Sequence, residues 1–285
     1  GTLPQGFVAA AVSSCGRKGG GSVNQDCLAL QYGSDGRWVG LVADGHGSDG
    51  HHASTWLCGN LPAALSETLD SDDVPAALRA AFLNAEQGLE GASAAEGFNI
   101  EQSGGTVAAA LLSPDAQHGY LVSAGDAQGV VFDMDTGDFQ ETTPHKAHEA
   151  AERGRIEQAG GFVKVRQDFN GELRSRVYNP SGTFGLAMSR SFGDLCVKRH
   201  GVTSEPSVLE VAITKSTCCL VGSDGLFEFF PPSEVVEMVR ERWSADGAQG
   251  CAEALIQESQ RRWAENEGGY CDDVTCLLFG PAPAA

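Results

Sequence analysis

The chain has 285 residues and a formal net charge of −19, and hydrophobic residues make up 41% of it. This hydrophobic content is sufficient for a sizeable core and excludes a disordered chain. The excess of acid argues against nucleic-acid and membrane-surface partners, which both need a basic face, whereas it suits a soluble protein or a site that collects divalent cations.

Strands and helices are predicted to alternate in groups along the chain. Short apolar runs bounded by Gly, Asp or Ser predict strands over 37–43, 105–113, 119–125, 129–135, 217–223 and 274–280. The stretch 119–137 favours consecutive antiparallel strands joined by tight turns. Helices are predicted over 51–69, 74–89, 148–159, 233–243 and 250–267. We therefore expect an α+β fold in which helices cover antiparallel sheets, within a single domain spanning 1–285.

The cysteines and the absence of targeting signals bear on the cellular compartment. Nine cysteines without a C-x-x-C pair predict free, buried thiols in a reducing compartment. No apolar run is long enough to cross a membrane, and no signal peptide is recognisable. We expect an intracellular protein, in the cytoplasm, the nucleus or both. Because the sequence begins with glycine, we also expect that an N-terminal targeting segment is missing from it.

Aspartates occupy the ends of several predicted strands. Asp44, Asp126 and Asp224 follow apolar strands beside a glycine, and Asp272 and Asp273 begin the last strand. Each Asp–Gly pair alone is more typical of a turn. If the strands are neighbours, however, the acids converge, and such carboxylates suit Mg²⁺ or Mn²⁺. Two ions held close together are a recurrent device for hydrolysing phosphoesters.

Histidines follow the first of these acids in the segment VADGHGSDGHHAS, residues 42–54. No H-x-x-x-H spacing is present, which argues against a zinc site. We expect His51 and His52 to lie at the start of the following helix without a chemical role. Asp49 is the predicted cap of that helix.

Eight segments carry motifs in a fixed order along the chain. They are VNQD (23–26), ADGHGSDGHHAS (43–54), SGGTVAAALL (103–112), LVSAGDAQGVV (121–131), TPHKAHEAAERGRIEQAGGFV (143–163), LAMSRSFGD (186–194), VGSDGLFEF (221–229) and CDDVTCLL (271–278). Together they closely resemble the metal-dependent (type 2C) serine/threonine protein phosphatases. The resemblance implies two antiparallel sheets packed as a central sandwich between antiparallel helices, a four-layer αββα arrangement.

The resemblance also implies an activity. The expected enzyme is a monomer that hydrolyses phosphoserine and phosphothreonine in phosphorylated proteins, with two Mg²⁺ or Mn²⁺ ions and, in many members, a third. A metal-bridging hydroxide would attack phosphorus directly, without a phosphoenzyme; in agreement, the chain has no C-x₅-R loop and no G-x-S-x-G motif. The alternatives are a catalytically weak pseudophosphatase that acts as a binding module, and a two-metal hydrolase of small phosphoesters. Asp44, Asp224 and Asp272 are retained, which disfavours the pseudophosphatase.

The resemblance assigns ligands for two metals residue by residue. Asp44 corresponds to the bridging carboxylate, and the carbonyl of Gly45 to a ligand of the second ion. Asp224 and Asp272 correspond to the other ligands of the first ion, and Asp273 is the alternative to Asp272.

Further acids are assigned to the second and third metals. Asp26 corresponds to an acid near the second metal, and it follows Gln25 where animal members have Glu. For a third, looser site the resemblance implies Asp126, the shared Asp224, and Glu228 in place of the usual Asp.

The remaining assignments concern the proton donor and the substrate phosphate. His46 corresponds to the proposed general acid, which suits imidazole near neutral pH; the alternative is a histidine that steadies the loop. The family's phosphate-binding Arg or Lys is replaced by Gly21, so Arg17 and Lys18 are the candidates, with a solvated basic pair as the alternative.

Two segments near the expected cleft have less certain roles. SRSFGD, residues 189–194, is expected to be structural, and Arg190 to support the region beside the active site. Residues 164–182 correspond to a flap-like segment near the cleft. In this segment Arg166, Arg174 and Arg176 are candidates to meet acidic or phosphorylated substrates, although a solvated loop is the preferred interpretation.

Overall fold

The computed structural model describes residues 6–19, 22–114, 117–167, 171 and 173–282. The strands of this part are β1 (Phe7–Ser14), β2 (Asp26–Tyr32), β3 (Trp38–His46), β4 (Gly104–Leu112), β5 (His118–Ala124), β6 (Gln128–Asp133), β7 (Phe139–Glu141), β8 (Phe162–Gln167), β9 (Leu173–Tyr178), β10 (Gly185–Leu186), β11 (Phe192–Gly193), β12 (Ser207–Ala212), β13 (Thr217–Gly222) and β14 (Val274–Pro281). Its helices are α1 (Gly50–Thr68), α2 (Val74–Glu96), α3 (Ala150–Gln158), α4 (Leu195–Lys198), α5 (Asp224–Phe227) and α6 (Pro232–Glu267).

Two antiparallel sheets form the centre of the fold. One has the order β1-β14-β13-β6-β7, and the other β12-β5-β4-β3-β2, with β11 beside β4. Side chains from both sheets, such as Leu121 and Leu277, form one apolar cluster between them. Helices α1 and α2 pack on the outer face of the second sheet, and α6 on that of the first. The predicted αββα sandwich is therefore confirmed.

Strand β3 shows how the sequence specifies this layering. Successive side chains of a strand point to opposite faces. Trp38 and Val42 accordingly pack between the two sheets, whereas Val39 and Leu41 pack under the helices. Because helices cover one face and the other sheet covers the opposite face, the strand is apolar throughout until it reaches Asp44.

One predicted pairing is wrong. Strands β5 and β6 were expected to form a hairpin, but β5 pairs with β4 and β12, while β6 pairs with β13 and β7. The chain crosses from one sheet to the other at Gly125, where φ is 109°. A Cβ at this glycine would overlap the side chain of Thr106, so the crossing requires glycine.

The predicted helices are confirmed with shifted ends, but the expected cap is wrong. Asp49 occupies the cap position of α1, yet its carboxylate makes no capping bond and instead accepts the backbone N–H of Asn99 at 2.8 Å. His51 and His52 lie in the first turn of α1, as expected. The last two predicted helices form the single element α6, interrupted at Gly247, which has φ 63° and ψ −173°.

The segment 164–182 is not the solvated loop that the sequence favoured. It supplies most of β8 and β9, which form a three-stranded sheet with β10. Val177 of β9 is buried with Ile156 and Leu186, and Val163 of β8 packs against them. This apolar face anchors the hairpin to the rest of the protein.

Two expectations about the cysteines and the membrane can be compared with the structure. All nine cysteines are free thiols, and Cys15 is exposed although buried thiols were expected. Within the described ranges, the helices lack the combination of length and apolar character that a bilayer span requires.

Candidate active site

The register of β2 and β3 brings two acids face to face. Asp26 is the cross-strand partner of Asp44, and Thr106 of β4 is the partner of Asp44 on its other side. Both carboxylate oxygens of Asp26 are shielded from solvent and have no hydrogen-bond partner among the described residues. Burial, aided by repulsion from Asp273 and Asp272, outweighs the nearby hydroxyls of Ser223 and Thr275 and raises the pKa of Asp26 to about 6.

The neighbouring sheet delivers two further acids to the same place. Asp224 follows β13, and its backbone N–H lies 3.4 Å from the Asp44 carboxylate. Asp272 precedes β14, which pairs with β13. Asp44, Asp224 and Asp272 line one cavity of 250 Å³. The structure thus brings together the acids that the strand ends predicted.

These acids destabilise one another's charged forms. Burial, followed by repulsion from Asp126 and Asp272, raises the pKa of Asp224 to about 8. Burial and repulsion from Asp224 and Asp26 also raise the pKa of Asp44 well above its usual value. Buried like charges of this kind are costly unless a cation lies among them.

Asp272 and Asp273 differ in what their oxygens contact. Asp273 accepts the backbone N–H groups of Gly16 at 2.7 Å and Gln25 at 2.9 Å, and its side chain is only 1% exposed. Burial raises the pKa of Asp273, but these bonds and Lys18 outweigh it, so its pKa is lowered. Asp273 therefore fastens the N-terminal segment, while Asp272 faces the cavity.

Of the two basic candidates, Lys18 reaches the cavity and Arg17 does not line it. The Lys18 ammonium lies 2.5 Å from Asp272 and 2.8 Å from Asp273. Arg17 is exposed, and its backbone forms an isolated bridge with Cys271. Gly21, which replaces the family's basic residue, lies outside the described residues.

His46 ends β3 and is held by an acid from a distant segment. Its Nε2 lies 2.7 Å from Oδ2 of the fully buried Asp194, which also accepts the Ser191 hydroxyl at 2.7 Å. A Cβ at Gly104 would lie 2.7 Å from the same Oδ2, so glycine is needed there. Burial lowers the pKa of His46, but the Asp194 carboxylate outweighs this effect, and the net pKa is raised.

The contact of Asp194 with His46 was not predicted from the sequence. The segment of Asp194 was expected to be purely structural, and the residue has the left-handed backbone conformation, with φ 52°, that is uncommon for a non-glycine residue. Nothing in the Ser–Arg–Ser–Phe–Gly–Asp motif indicates which side chain it contacts. Arg190 of the same motif does support the region, through an ion pair with Glu152 at 2.6 Å.

The acids expected at a third metal are paired with cations of the chain. Lys146 donates to Oδ2 of Asp126 at 2.7 Å, and Arg174 forms an ion pair with Glu228. Burial raises the pKa of Asp126, but the ion pair with Lys146 outweighs it, so its pKa is lowered. Oδ1 of Asp126 remains buried without a partner within the described part of the chain.

The donor set fits a divalent cation that prefers oxygen. In the part of the chain that the structure describes, no three His, Cys, Asp or Glu side chains already converge as a metal-binding group. However, the cavity is lined by carboxylates rather than thiolates, and nearby the oxygens of Asp26 and Oδ1 of Asp126 find no hydrogen-bond partner among the described residues. Buried carboxylates without partners, beside others whose pKa is raised by repulsion, suit hard ions such as Mg²⁺ or Mn²⁺.

Backbone packing fixes the loop that carries these groups. A Cβ at Gly45 would overlap the carbonyl oxygen of Gly50 and lie 2.7 Å from that of Gln25. The side-chain amide of Gln25 donates to the Gly47 carbonyl at 2.7 Å. The residue that replaces the family's Glu therefore holds the loop after Asp44.

Comparisons with known proteins agree with this geometry. A family model described as protein phosphatase 2C matches residues 24–268. A rice (Oryza sativa) protein described as "Probable protein phosphatase 2C 48" is 28% identical over 95% of this chain and 84% of its own length. Another rice protein, "Probable protein phosphatase 2C 64", is 32% identical over 93% of this chain and 64% of its own length.

Solved structures share the fold. The serine-threonine phosphatase 2C of Toxoplasma gondii superposes with a TM-score of 0.79 at 19% identity, covering 98% of this chain and 96% of that one. A sex determining protein of C. elegans superposes with a TM-score of 0.76 at 23% identity, covering 96% and 65%. The chain belongs to the protein phosphatase 2C family, whose members are metal-dependent serine/threonine protein phosphatases.

Proposed function

We propose that this chain is an active phosphatase that hydrolyses phosphoserine and phosphothreonine in proteins, with Mg²⁺ or Mn²⁺ as its cofactor. The observation that carries the proposal is the convergence of Asp44, Asp224 and Asp272 in one cavity that is also lined by His46 and Lys18. A cavity lined by two acids of raised pKa, a histidine and a lysine is typical of a catalytic site.

The family resemblance and the same geometry support one set of metal-holding residues. Asp44, the Gly45 carbonyl, Asp26, Asp224 and Asp272 would hold two ions. Asp126 and Glu228, with Asp224, would hold a third once Lys146 and Arg174 move away from them. Such ions acidify a water nucleophile and offset the negative charge of the phosphoryl group.

The chain's own side chains complete the chemistry. The Lys18 ammonium is placed to pair with the substrate phosphate, as a point charge with three donors. His46 is placed to give a proton to the departing seryl or threonyl oxygen, and its contact with Asp194 favours the protonated ring. Asp194 acts through His46 and is therefore a positioning residue.

The proposal extends to the whole chain and its setting. Residues 1–285 form one catalytic domain, which works as a monomer on phosphoprotein substrates. Its nine free cysteines suit the reducing interior of a cell, in the cytoplasm or the nucleus.

The test is a phosphatase assay on a phosphoserine peptide. We expect turnover with Mn²⁺ and none with EDTA, and we expect Asp224→Ala to lower kcat/KM by roughly a thousandfold, because it removes a metal ligand. Asp246→Asn is the matched control, since Asp246 lies on α6, pairs with Arg242 and does not line the candidate site.

Two results would contradict the proposal. Activity that resists EDTA, or full activity of Asp224→Ala, would exclude the metal-dependent mechanism. A folded wild-type protein that leaves phosphopeptides intact with Mn²⁺ would favour the pseudophosphatase, and turnover of nucleotides in preference to phosphopeptides would favour a hydrolase of small phosphoesters.

A further inference from the structure

The hairpin of β8 and β9 carries an unusual concentration of positive charge. Lys164 is the cross-strand partner of Arg176, and Arg166 is the partner of Arg174. All four side chains are exposed, and we call them the basic face. Like charges directly opposite one another on a sheet are destabilising, so two such pairs in succession weaken the hairpin.

The hairpin is held by other interactions. On its opposite face Val163 and Val177 pack against Ile156 and neighbouring apolar residues. On the basic face the Lys164 ammonium lies 4.4 Å from the ring centroid of Tyr178, a favourable cation–π distance. The apolar face and the Lys164 contact thus hold the hairpin, and neither explains the three arginines of the basic face.

The basic face borders the candidate active site. It lines a cavity of 520 Å³ that is also lined by Asp224, and Asp224 lines the smaller catalytic cavity as well. The two cavities are therefore adjacent. If the phosphoryl group of a peptide lies beside Asp224, the residues that flank the phosphorylated residue could lie against the basic face.

The larger cavity has an excess of positive charge in a strongly acidic protein. Among the residues that the structure describes, five basic and three acidic side chains line it: Lys146, Lys164, Arg166, Arg174, Arg176, Asp126, Asp224 and Glu228. Two of the acids already form ion pairs, Asp126 with Lys146 and Glu228 with Arg174. Arg176 donates to a neutral acceptor, the Gly185 carbonyl, at 2.8 Å. Positive charge is therefore left for a ligand, against a net charge of −19 for the whole chain.

We propose that the basic face binds acidic residues flanking the phosphorylated residue, so that this protein selects phosphopeptides with Asp- or Glu-rich flanks. The inference rests on the phosphatase function proposed for the same cleft. Guanidinium groups suit this role because they bind carboxylates with two parallel hydrogen bonds. The field of the cavity would also favour such peptides during encounter.

The test compares peptides that share one phosphoserine and differ only in their flanks. One set carries Asp and Glu on both sides, a second carries Ala and Gln, and a third carries a second phosphoserine. In the wild type with Mn²⁺ at low salt, kcat/KM is expected to be about tenfold higher for the acidic peptide than for the neutral one. As added salt screens the charges, the two kcat/KM values are expected to become similar. In the double variant Lys164→Gln/Arg166→Gln the ratio is expected to fall to roughly one.

Controls separate specificity from folding. Arg153→Gln removes an exposed arginine of α3 that pairs with Glu157 outside the cavity, and it is expected to keep the wild-type ratio. The double variant is expected to unfold close to the wild-type temperature, because the relief of two like-charge pairs offsets the lost contact of Lys164 with the Tyr178 ring. A folded variant that keeps the wild-type ratio would overturn the inference.

Two further outcomes distinguish this inference from the proposed function. If the wild type hydrolyses no phosphopeptide, the proposed function fails, and fluorescence anisotropy with the same labelled peptides decides the inference: tighter binding of the acidic peptide, lost in the double variant, supports it. The inference is overturned if the acidic and neutral peptides bind and react equally well. It is also overturned if only the doubly phosphorylated peptide is preferred over the neutral one.

Discussion

Glu152 is buried and Asp44 and Asp224 are half-buried, and the surroundings of these acids differ. Glu152 accepts hydrogen bonds from Arg155 at 2.7 Å, Arg190 at 2.6 Å and the Ser189 hydroxyl at 2.6 Å. Burial raises the pKa of Glu152, but these partners outweigh it and lower the pKa far below its usual value. Around Asp44 and Asp224 the neighbours are other acids, and the pKa of both is raised.

The difference separates acids that stabilise the fold from acids that are expected to bind a cation. A buried charge with partners from its own chain is compensated whenever the protein is folded. A buried charge that faces like charges is compensated only when a cation binds. We therefore expect changes at Glu152 to act on stability, and changes at Asp44 and Asp224 to act mainly on activity.

The largest expected effect is on activity at the acidic cluster. Asp44→Asn keeps the size of the side chain but removes the charge expected to bridge two ions, so kcat/KM on a phosphoserine peptide should fall by about a thousandfold or more. The protein should remain folded, as circular dichroism would show. An Asp44→Asn protein with more than a tenth of wild-type activity would place the metal ligands elsewhere.

The second expected effect is a loss of stability at Glu152, the acid that is paired with arginines of its own chain. Glu152→Gln leaves Arg155 and Arg190 without their carboxylate, which should lower the free energy of unfolding by about 3 kcal/mol. Urea denaturation measures this change. The activity of each folded molecule should change far less than in Asp44→Asn, and a Glu152→Gln protein as stable as the wild type would contradict the comparison.

The third effect concerns the acid that orients His46. Asp194→Asn should lower kcat on a phosphoserine peptide by about a hundredfold, because a misplaced ring protonates the leaving oxygen poorly. The loss should be smaller on p-nitrophenyl phosphate, whose leaving group needs no proton. Equal losses on both substrates would show that Asp194 supports only the local structure.

The smallest effect is a gain in stability. In EDTA, Asp224→Asn removes a carboxyl group whose charged form is disfavoured by burial and by the neighbouring acids, and the free energy of unfolding should rise by about 1 kcal/mol. With saturating Mn²⁺ the wild type should instead be the more stable protein, because only the wild type gains the full free energy of metal binding. Thermal denaturation under both conditions provides the measurement, and a variant less stable than the wild type in EDTA would mean that Asp224 is compensated within the chain.

The fold class could be predicted because the apolar runs and amphipathic helices are local patterns. The partners of β5 and β6 could not, since alternation shows that a strand exists but not which sheet it joins. The hairpin of β8 and β9 was missed because its charged face hides the apolar alternation of Val163 and Val177.

The candidate site was predicted to a similar extent. Asp44, Asp224 and Asp272 could be grouped because each lies at the end of a core strand. The pairing of His46 with Asp194, 148 residues away in sequence, depends on tertiary packing that no local pattern reveals. The sequence likewise left Arg17 and Lys18 open as candidates for the substrate phosphate. Only the tertiary structure shows that Lys18 lines the cavity.

Calorimetric titration with Mn²⁺ tests the central claim most directly, because it measures whether the acidic cluster is completed by a cation. For the wild type we predict saturable binding of about two ions per chain. Binding should be lost or strongly weakened in Asp44→Asn and kept in Asp246→Asn. Absence of saturable binding in the folded wild type, or identical binding in Asp44→Asn, would contradict the account.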